Sequence, residues 1–240
     1  MARQFVNAGN QVIVTGRNEK ALAEAAAEID NLVTIQSDVG DPAQIESLAE
    51  KVCAEFPETN LVINNAGIMW TVNLQNHDMQ FDELTREIDI NLKAPIQMVD
   101  AFLPHLTKVN APAIVNVSSG LAFMPLPISA VYCASKAALH SYTQSLRIQL
   151  SNTTIKVFEL MPPATETDLL SEFDESDMKG ISVMKADKMV ATFIKALSKD
   201  QFEIRPGQSG QLRFMSRFFP RLILKLLSKP VKNMHRATVK

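Results

Sequence analysis

The feature that most constrains this chain is an alternation of short, continuously apolar runs with longer helix-forming stretches. The runs occupy residues 11–15, 32–36, 61–64, 113–118 and 155–160, with a shorter one near 202–205. Helical patterns lie between them at about 18–29, 41–56, 82–106, 132–150 and 185–198. Asp41 and Pro42 open the second of these as N-cap and first helical residue. Runs without polar alternation imply strands buried on both faces, which is the condition of a parallel sheet. Strands alternating with helices of this length predict a doubly wound parallel α/β sheet with helices on both faces. The opening is irregular for such a fold. Residues 1–8 read as the last turns of a helix ending at Gly9, with no strand before them.

Composition narrows the class further. With 240 residues, 46% of them hydrophobic and 21% charged, the chain can bury a core of its own, and wholesale disorder is excluded. Two cysteines, Cys53 and Cys133, do not make a disulfide framework, and the four histidines are too scattered to suggest a metal site. The net charge of −2 conceals an asymmetry: residues 1–204 carry 15 basic and 26 acidic side chains, whereas 205–240 carry nine basic and no acidic ones. The first residues lack a basic segment followed by an apolar run, so no signal peptide is expected. The most apolar late segment, 218–227, is interrupted by Pro220, Arg221 and Lys225, short of a spanning helix. A cytoplasmic protein is expected.

The chemistry concentrates around Tyr132 and Lys136. Their four-residue spacing places both on one face of a helix, one turn apart. A phenol titrates near 10 in water. An ammonium about 5 Å away is worth roughly 3 kcal/mol at an effective dielectric near 20, enough to lower the phenol by about two units. The pair can thus exchange a proton with a substrate. Ser119 stands thirteen residues earlier, just past the strand at 113–118. Ligands in open α/β sheets bind at that carboxyl edge, where a hydroxyl can donate to a carbonyl oxygen. Asn64, Asn65, Ala66 and Gly67 close another strand in the same way, and Asn91 interrupts a helical stretch for which it is a poor former.

Asn64-Asn65-Ala66-Gly67, the helical Asn91, Val117-Ser118-Ser119, Tyr132-Cys133-Ala134-Ser135-Lys136 and Pro162-Pro163 followed by Thr167 stand in one order and spacing. Over residues 1–205 this pattern resembles the short-chain dehydrogenase/reductase family. The Pro-Pro pair and the Arg-Pro-Gly-Gln-Ser segment at 205–209 resemble its branch named after the oxidoreductase of the D-alanyl-lipoteichoic acid operon. The resemblance implies a Rossmann-type domain over 1–205, and the charge pattern marks a basic amphipathic tail over 206–240. It implies an enzyme that transfers a hydride between a nicotinamide cofactor and a small carbonyl or alcohol. Tyr132 would then be the general acid/base, Lys136 would lower its pKa and hold the nicotinamide ribose, Ser119 would polarise the carbonyl, and Asn91 would hold a relay water. Asp38 would contact the adenine, Asn64, Asn65, Ala66 and Gly67 would line the cofactor floor, and Pro162, Pro163 and Thr167 would flank the nicotinamide. An acidic residue after the strand at 11–15 would favour NAD. Arg17 stands there instead and suits a 2′-phosphate, so NADP is expected over NAD, and with it the reductive direction.

The pattern also departs from the family. The family opens with a strand and a glycine-rich turn that cradles the pyrophosphate, and only eight glycines occur here, none in that context. About twenty residues of the family pattern have no counterpart before Met1, which leads to the expectation that the physiological protein is longer. Two other readings follow from the same departure: a non-catalytic nucleotide-sensing scaffold on this fold, or an inactive fragment of a longer reductase.

Residues 120–130 are strongly apolar and form either a substrate wall or plain core. As a wall they would suit a hydrophobic ketone or aldehyde. Residues 168–180, with Asp168, Glu172, Asp174, Glu175 and Asp177, read as a mobile acidic lid. In the tail, Arg213, Arg217, Arg221, Lys225 and Lys229 recur every four residues among Phe and Leu. Packing, as in a homo-oligomer contact, is expected there in preference to contact with a membrane surface. No nucleic-acid motif accompanies the charge, so no nucleic-acid partner is expected.

Overall fold

The computed structural model describes residues 1–170, 173 and 181–237, with side chains described through 234. Of the acidic segment, residues 168–170 form one helical turn, and 171, 172 and 174–180, with most of the expected lid, lie outside the described residues. The alternation read from the sequence is the observed one. In order come α1 (Ala2–Asn7), β1 (Val12–Gly16), α2 (Glu19–Glu28), β2 (Leu32–Gln36), α3 (Pro42–Glu55) and β3 (Leu61–Asn64). Then follow α4 (Phe81–Ile88), α5 (Ala94–Leu106), β4 (Ala113–Val117), α6 (Ala130–Gln149), β5 (Lys156–Leu160), α7 (Ala186–Leu197) and β6 (Glu203–Ile204). The tail forms α8 (Gln208–Phe218), α9 (Pro220–Leu227) and α10 (Val231–Ala237).

Every strand pairing is parallel. Parallel strands require crossovers, and the helices between them pack on both faces of the sheet. One layer buries Leu48, Val52, Phe102, Leu106 and Ile114 with Leu146. The other buries Val115, Phe158 and Leu160 against Val190 and Phe193 of α7. Caps fall where the side chains allow them: Asn18 accepts from the Ala21 amide and Asp41 from the Ala43 amide.

The sheet is in two parts. β1 pairs with β2, and β3, β4, β5 and β6 pair in that order. Between the facing edges of β1 and β3 lies a cavity of about 560 Å³, lined by Phe5, Val12, Val14, Leu61, Ile63 and Ile90 among others. Both edges carry main-chain groups without a strand partner among the described residues. The consequence is visible in burial. All five residues of β1 remain partly exposed, whereas four of the five in β4 are buried.

The long helical stretch expected at 82–106 is continuous but not uniform. Between α4 and α5 the turn Asp89–Lys93 widens to π geometry. Such turns disturb the regular hydrogen-bond ladder and recur at functional sites. This one contains Asn91.

Candidate active site

Because all strands run the same way, their carboxyl ends share one edge. Arg17 follows β1, Asp38 follows β2, Asn65–Gly67 follow β3, Ser119 follows β4 and Pro162 follows β5. A backbone bond from the Gly120 amide to the Pro162 carbonyl (3.0 Å) ties the last two together. α6 then brings Tyr132 and Lys136 to the same edge in its first two turns.

The Ser119 hydroxyl stands beside the Tyr132 phenol, where as a donor it lowers the phenol's pKa, and its oxygen accepts from the Leu121 amide at 3.1 Å. Tyr132 is buried, and Lys136 holds its ammonium 5.7 Å from the phenol ring centroid. The Lys136 ammonium donates to the Val117 carbonyl at 2.9 Å, one bond for a group that can make three. Here the electrostatics differ from the expected direction. Burial pushes the Tyr132 phenol above its ordinary value, and the Ser119 hydroxyl opposes this only in part. Burial also lowers Lys136, to about 8. Desolvation outweighs a single ammonium because it acts on every charged form in the site. The phenol therefore rests protonated, as a proton donor requires.

Asn91 is fully buried and fully bonded. Its amide nitrogen donates to the Ile68 carbonyl (2.9 Å) and the Ser135 hydroxyl (3.1 Å), and its oxygen accepts from the Ile68 amide (2.9 Å). It thus clamps the loop after β3 to α6. Asn64 is also buried, bonded to the Asn116 side chain at 2.8 Å, and Asn116 in turn donates to Thr143. Asn65 and Ala66 are exposed at the edge, and a Cβ on Gly67 would stand 3.3 Å from the Asn91 oxygen and 3.5 Å from the Lys136 nitrogen. Asp38 accepts from the Gly40 amide at 2.8 Å and faces Arg86 at 3.8 Å. Arg17 is exposed with no ion pair among the described residues. Pro162 and Pro163 are half-buried, and the exposed Thr167 donates to the Thr165 carbonyl at 3.2 Å.

Three features escaped sequence reasoning. Glu87 in α4 is 1% exposed and accepts from the Trp70 amide at 2.8 Å and from the Tyr132 backbone. Burial raises its carboxyl to about 7. Glu159 in β5 is completely buried, bonded to the Ser118 hydroxyl and to His140 at 2.8 Å, and its hydrogen bond raises His140. Neither acid belongs to a spacing motif. The only local signal was an acidic residue where the period called for an apolar one. The third feature is where the tail packs. Ser209 of α8 is buried behind the catalytic edge, where a Cβ on Gly120 would meet its hydroxyl at 2.9 Å. Leu227, Val231 and Met234 pack on the apolar cluster of Met69, Leu126, Ile128 and Tyr132. Leu227, Val231 and Met234 of the tail thus cover part of the cluster that contains Tyr132.

A hydroxyl, a phenol and an ammonium converging at the carboxyl edge of a parallel sheet define an oxidoreductase site of the nicotinamide-dependent kind. The short chain dehydrogenase family profile matches residues 1–178, and the chain belongs to that family. It is an enzyme of hydride transfer. The uncharacterized oxidoreductase DltE of Bacillus subtilis is 37% identical over 219 residues, 90% of this chain and 86% of that protein. The 3-ketoacyl-(acyl-carrier-protein) reductase of Brucella melitensis, solved with NADH, superposes with a TM-score of 0.77 at 26% identity, covering 87% of this chain and 91% of that one. A short-chain dehydrogenase of Sphingobium yanoikuyae, solved with NADPH, gives 0.78 at 23% identity, covering 93% and 89%.

The residues present suit a nicotinamide cofactor at both ends. Lys136 keeps two donors that would meet ribose hydroxyls beside the close approach at Gly67, and the exposed Arg17, after β1, would meet the adenosine half. The cavity flanked by β1 and β3 is lined by neither Arg17 nor Lys136, and the described residues place no glycine-rich turn there.

Proposed function

We propose that this chain is an NADPH-preferring reductase of apolar ketones or aldehydes. The carrying observation is the convergence of the Ser119 hydroxyl, the Tyr132 phenol and the Lys136 ammonium against the cluster of Met69, Leu126 and Ile128. The cofactor, when bound, supplies the hydride. The chain's own residues do the rest. Ser119 donates to the carbonyl oxygen and so favours the charge that grows there. Tyr132 gives its phenolic proton to the same oxygen as the alcohol forms. Lys136 holds the ribose and steadies the transient phenolate. Asn91 acts by fixing Gly67–Ile68 under the cofactor floor, where Asn64, Asn65 and Ala66 also stand. Asp38 would meet the adenine, and Pro162, Pro163 and Thr167 the nicotinamide. The apolar cluster excludes water and selects a hydrophobic carbonyl. Assembly as a homo-oligomer belongs to the same reading.

NADPH preference rests on Arg17, an exposed cation where an acid would repel the 2′-phosphate. Fluorescence titration of the chain with NADPH and NADH tests it. NADPH binds more tightly in the wild type, and Arg17→Glu narrows or reverses the difference. Equal affinities sink the preference. Tyr132→Phe should retain NADPH binding and lose catalysis of a hydrophobic ketone by about 10²–10⁴-fold. An active Tyr132→Phe would overturn the assignment of the proton donor.

A further inference from the structure

The tail contains a surface that the proposed reaction does not use. α8 is fastened to the body, with Arg213 paired to Glu203 at 2.6 Å and its guanidinium 5.6 Å from the Phe123 ring centroid. α9 is not held in this way. Ile223 and Leu227 are half-buried, and the latter joins the cluster around Tyr132. The remaining residues of α9 are exposed. At the helical period Arg221 and Lys225 share one side of α9, and Leu222 and Leu226 the adjoining side. Phe214, Phe218 and Phe219 extend the apolar part back along α8, with Phe218 59% and Leu222 51% exposed. Exposed large apolar side chains in such number are unusual on a surface that meets only water.

Charge indicates what this face meets. Arg217, Arg221, Lys225, Lys229 and Lys232 are exposed and make no ion pair among the described residues, and no acidic residue follows Glu203. We propose that the exposed face of α8 and α9 docks on an anionic membrane surface. Phe and Leu side chains would enter the headgroup boundary while the cations meet lipid phosphates. A two-fold contact with a second copy fits less well. It would set Arg217, Arg221 and Lys225 against their own counterparts with no acid in the tail to answer them. The acidic body, with 26 acids against 15 bases over residues 1–204, is repelled by the same lipids. Repulsion of the body and attraction of the tail orient the molecule tail-down. Docking would also bring the roof formed by Leu227, Val231 and Met234 to the bilayer, so that a lipophilic carbonyl could enter from it. That last step rests on the reductase reading, whereas the docking does not.

Co-sedimentation of the full chain with vesicles tests the docking without any need for catalysis. One set contains phosphatidylcholine with about 30% phosphatidylglycerol and the other phosphatidylcholine alone, both at about 0.15 M salt. The chain pellets with the anionic set and at least about tenfold less with the neutral set, and about 0.5 M salt releases it. Leu222→Ser with Leu226→Ser, and separately Arg221→Glu with Lys225→Glu, lower anionic partitioning about tenfold or more while leaving the thermal melt in place. Absent binding, or equal binding to both sets, overturns the proposal. So does a dimer in sedimentation velocity that Leu222→Ser with Leu226→Ser dissociates, if the wild type fails to pellet with anionic vesicles.

Discussion

In the proposed reaction, the proton of Tyr132 is guarded by burial rather than by its neighbour's charge. Burial raises the phenol and lowers Lys136 to about 8, so the ammonium is the first group of the pair to lose its proton as pH rises. The reductive kcat/KM should therefore fall as pH passes through about 8 while the phenol remains protonated. A pH profile measured with saturating NADPH checks this, and a profile flat to pH 10 or so would exclude Lys136 as the controlling group. Glu87 offers a second residue-scale test. Its carboxyl is raised from 4.5 to about 7. Folding therefore gains from the proton it retains at low pH, and that gain disappears as pH rises through about 7. Glu87→Gln removes the charge but keeps an acceptor for the Trp70 amide. Relative to wild type it should be stabilised by up to roughly 3 kcal/mol at pH 8 and hardly at all near pH 4. Thermal melts at the two pH values decide it, and a pH-independent difference would contradict the raised carboxyl. Tyr132, Lys136, Ser119 and Asn91 were legible in the sequence because their spacing is local and their order fixed. Glu87 was not, since its effect comes from loop, α4 and α6 meeting around one carboxyl.

At the scale of elements, the division of the sheet separates a weakly buried pair from a deeply buried core. β1 and β2 contain no fully buried residue, while β4 and β5 bury four of five each. Local opening should follow this difference. Amide hydrogen exchange of the apo chain should be at least about tenfold faster in Val12–Gly16 and Leu32–Gln36 than in Ala113–Val117. Uniform protection across all four strands would mean that the β1–β2 pair is held by something beyond the contacts described. The apolar runs disclosed the strands and their parallel sense, whereas the division of the sheet appeared only in the strand pairing. Periodicity did not disclose the π turn at Asp89–Lys93. That widening is set by Asn91 turning inward to bond Ile68 and Ser135, contacts 23 and 44 residues away.

For the whole molecule, the acidic body and basic tail meet at Glu203. This carboxylate accepts from Arg205 at 3.0 Å and Arg213 at 2.6 Å, with Arg147 at 3.9 Å. Partly exposed pairs of this kind contribute little singly, but a shared carboxylate fixes geometry. Glu203→Ala should loosen α8, so limited proteolysis should cut between residues 205 and 220 several-fold faster while NADPH binding persists. Unchanged cleavage would mean that Ser209 against Gly120 and the apolar roof hold the tail alone. By itself the sequence determined the order of strands and helices, the edge at which ligands gather, the Ser-Tyr-Lys constellation and the charge asymmetry. Each is a matter of period, spacing or count along the chain. Only the tertiary structure decided the direction in which Tyr132 and Lys136 titrate, the presence of a buried acid at their side and the packing of the tail on the cluster around Tyr132. Those depend on desolvation and packing, which sum over segments far apart in sequence and leave no periodic mark on any one of them.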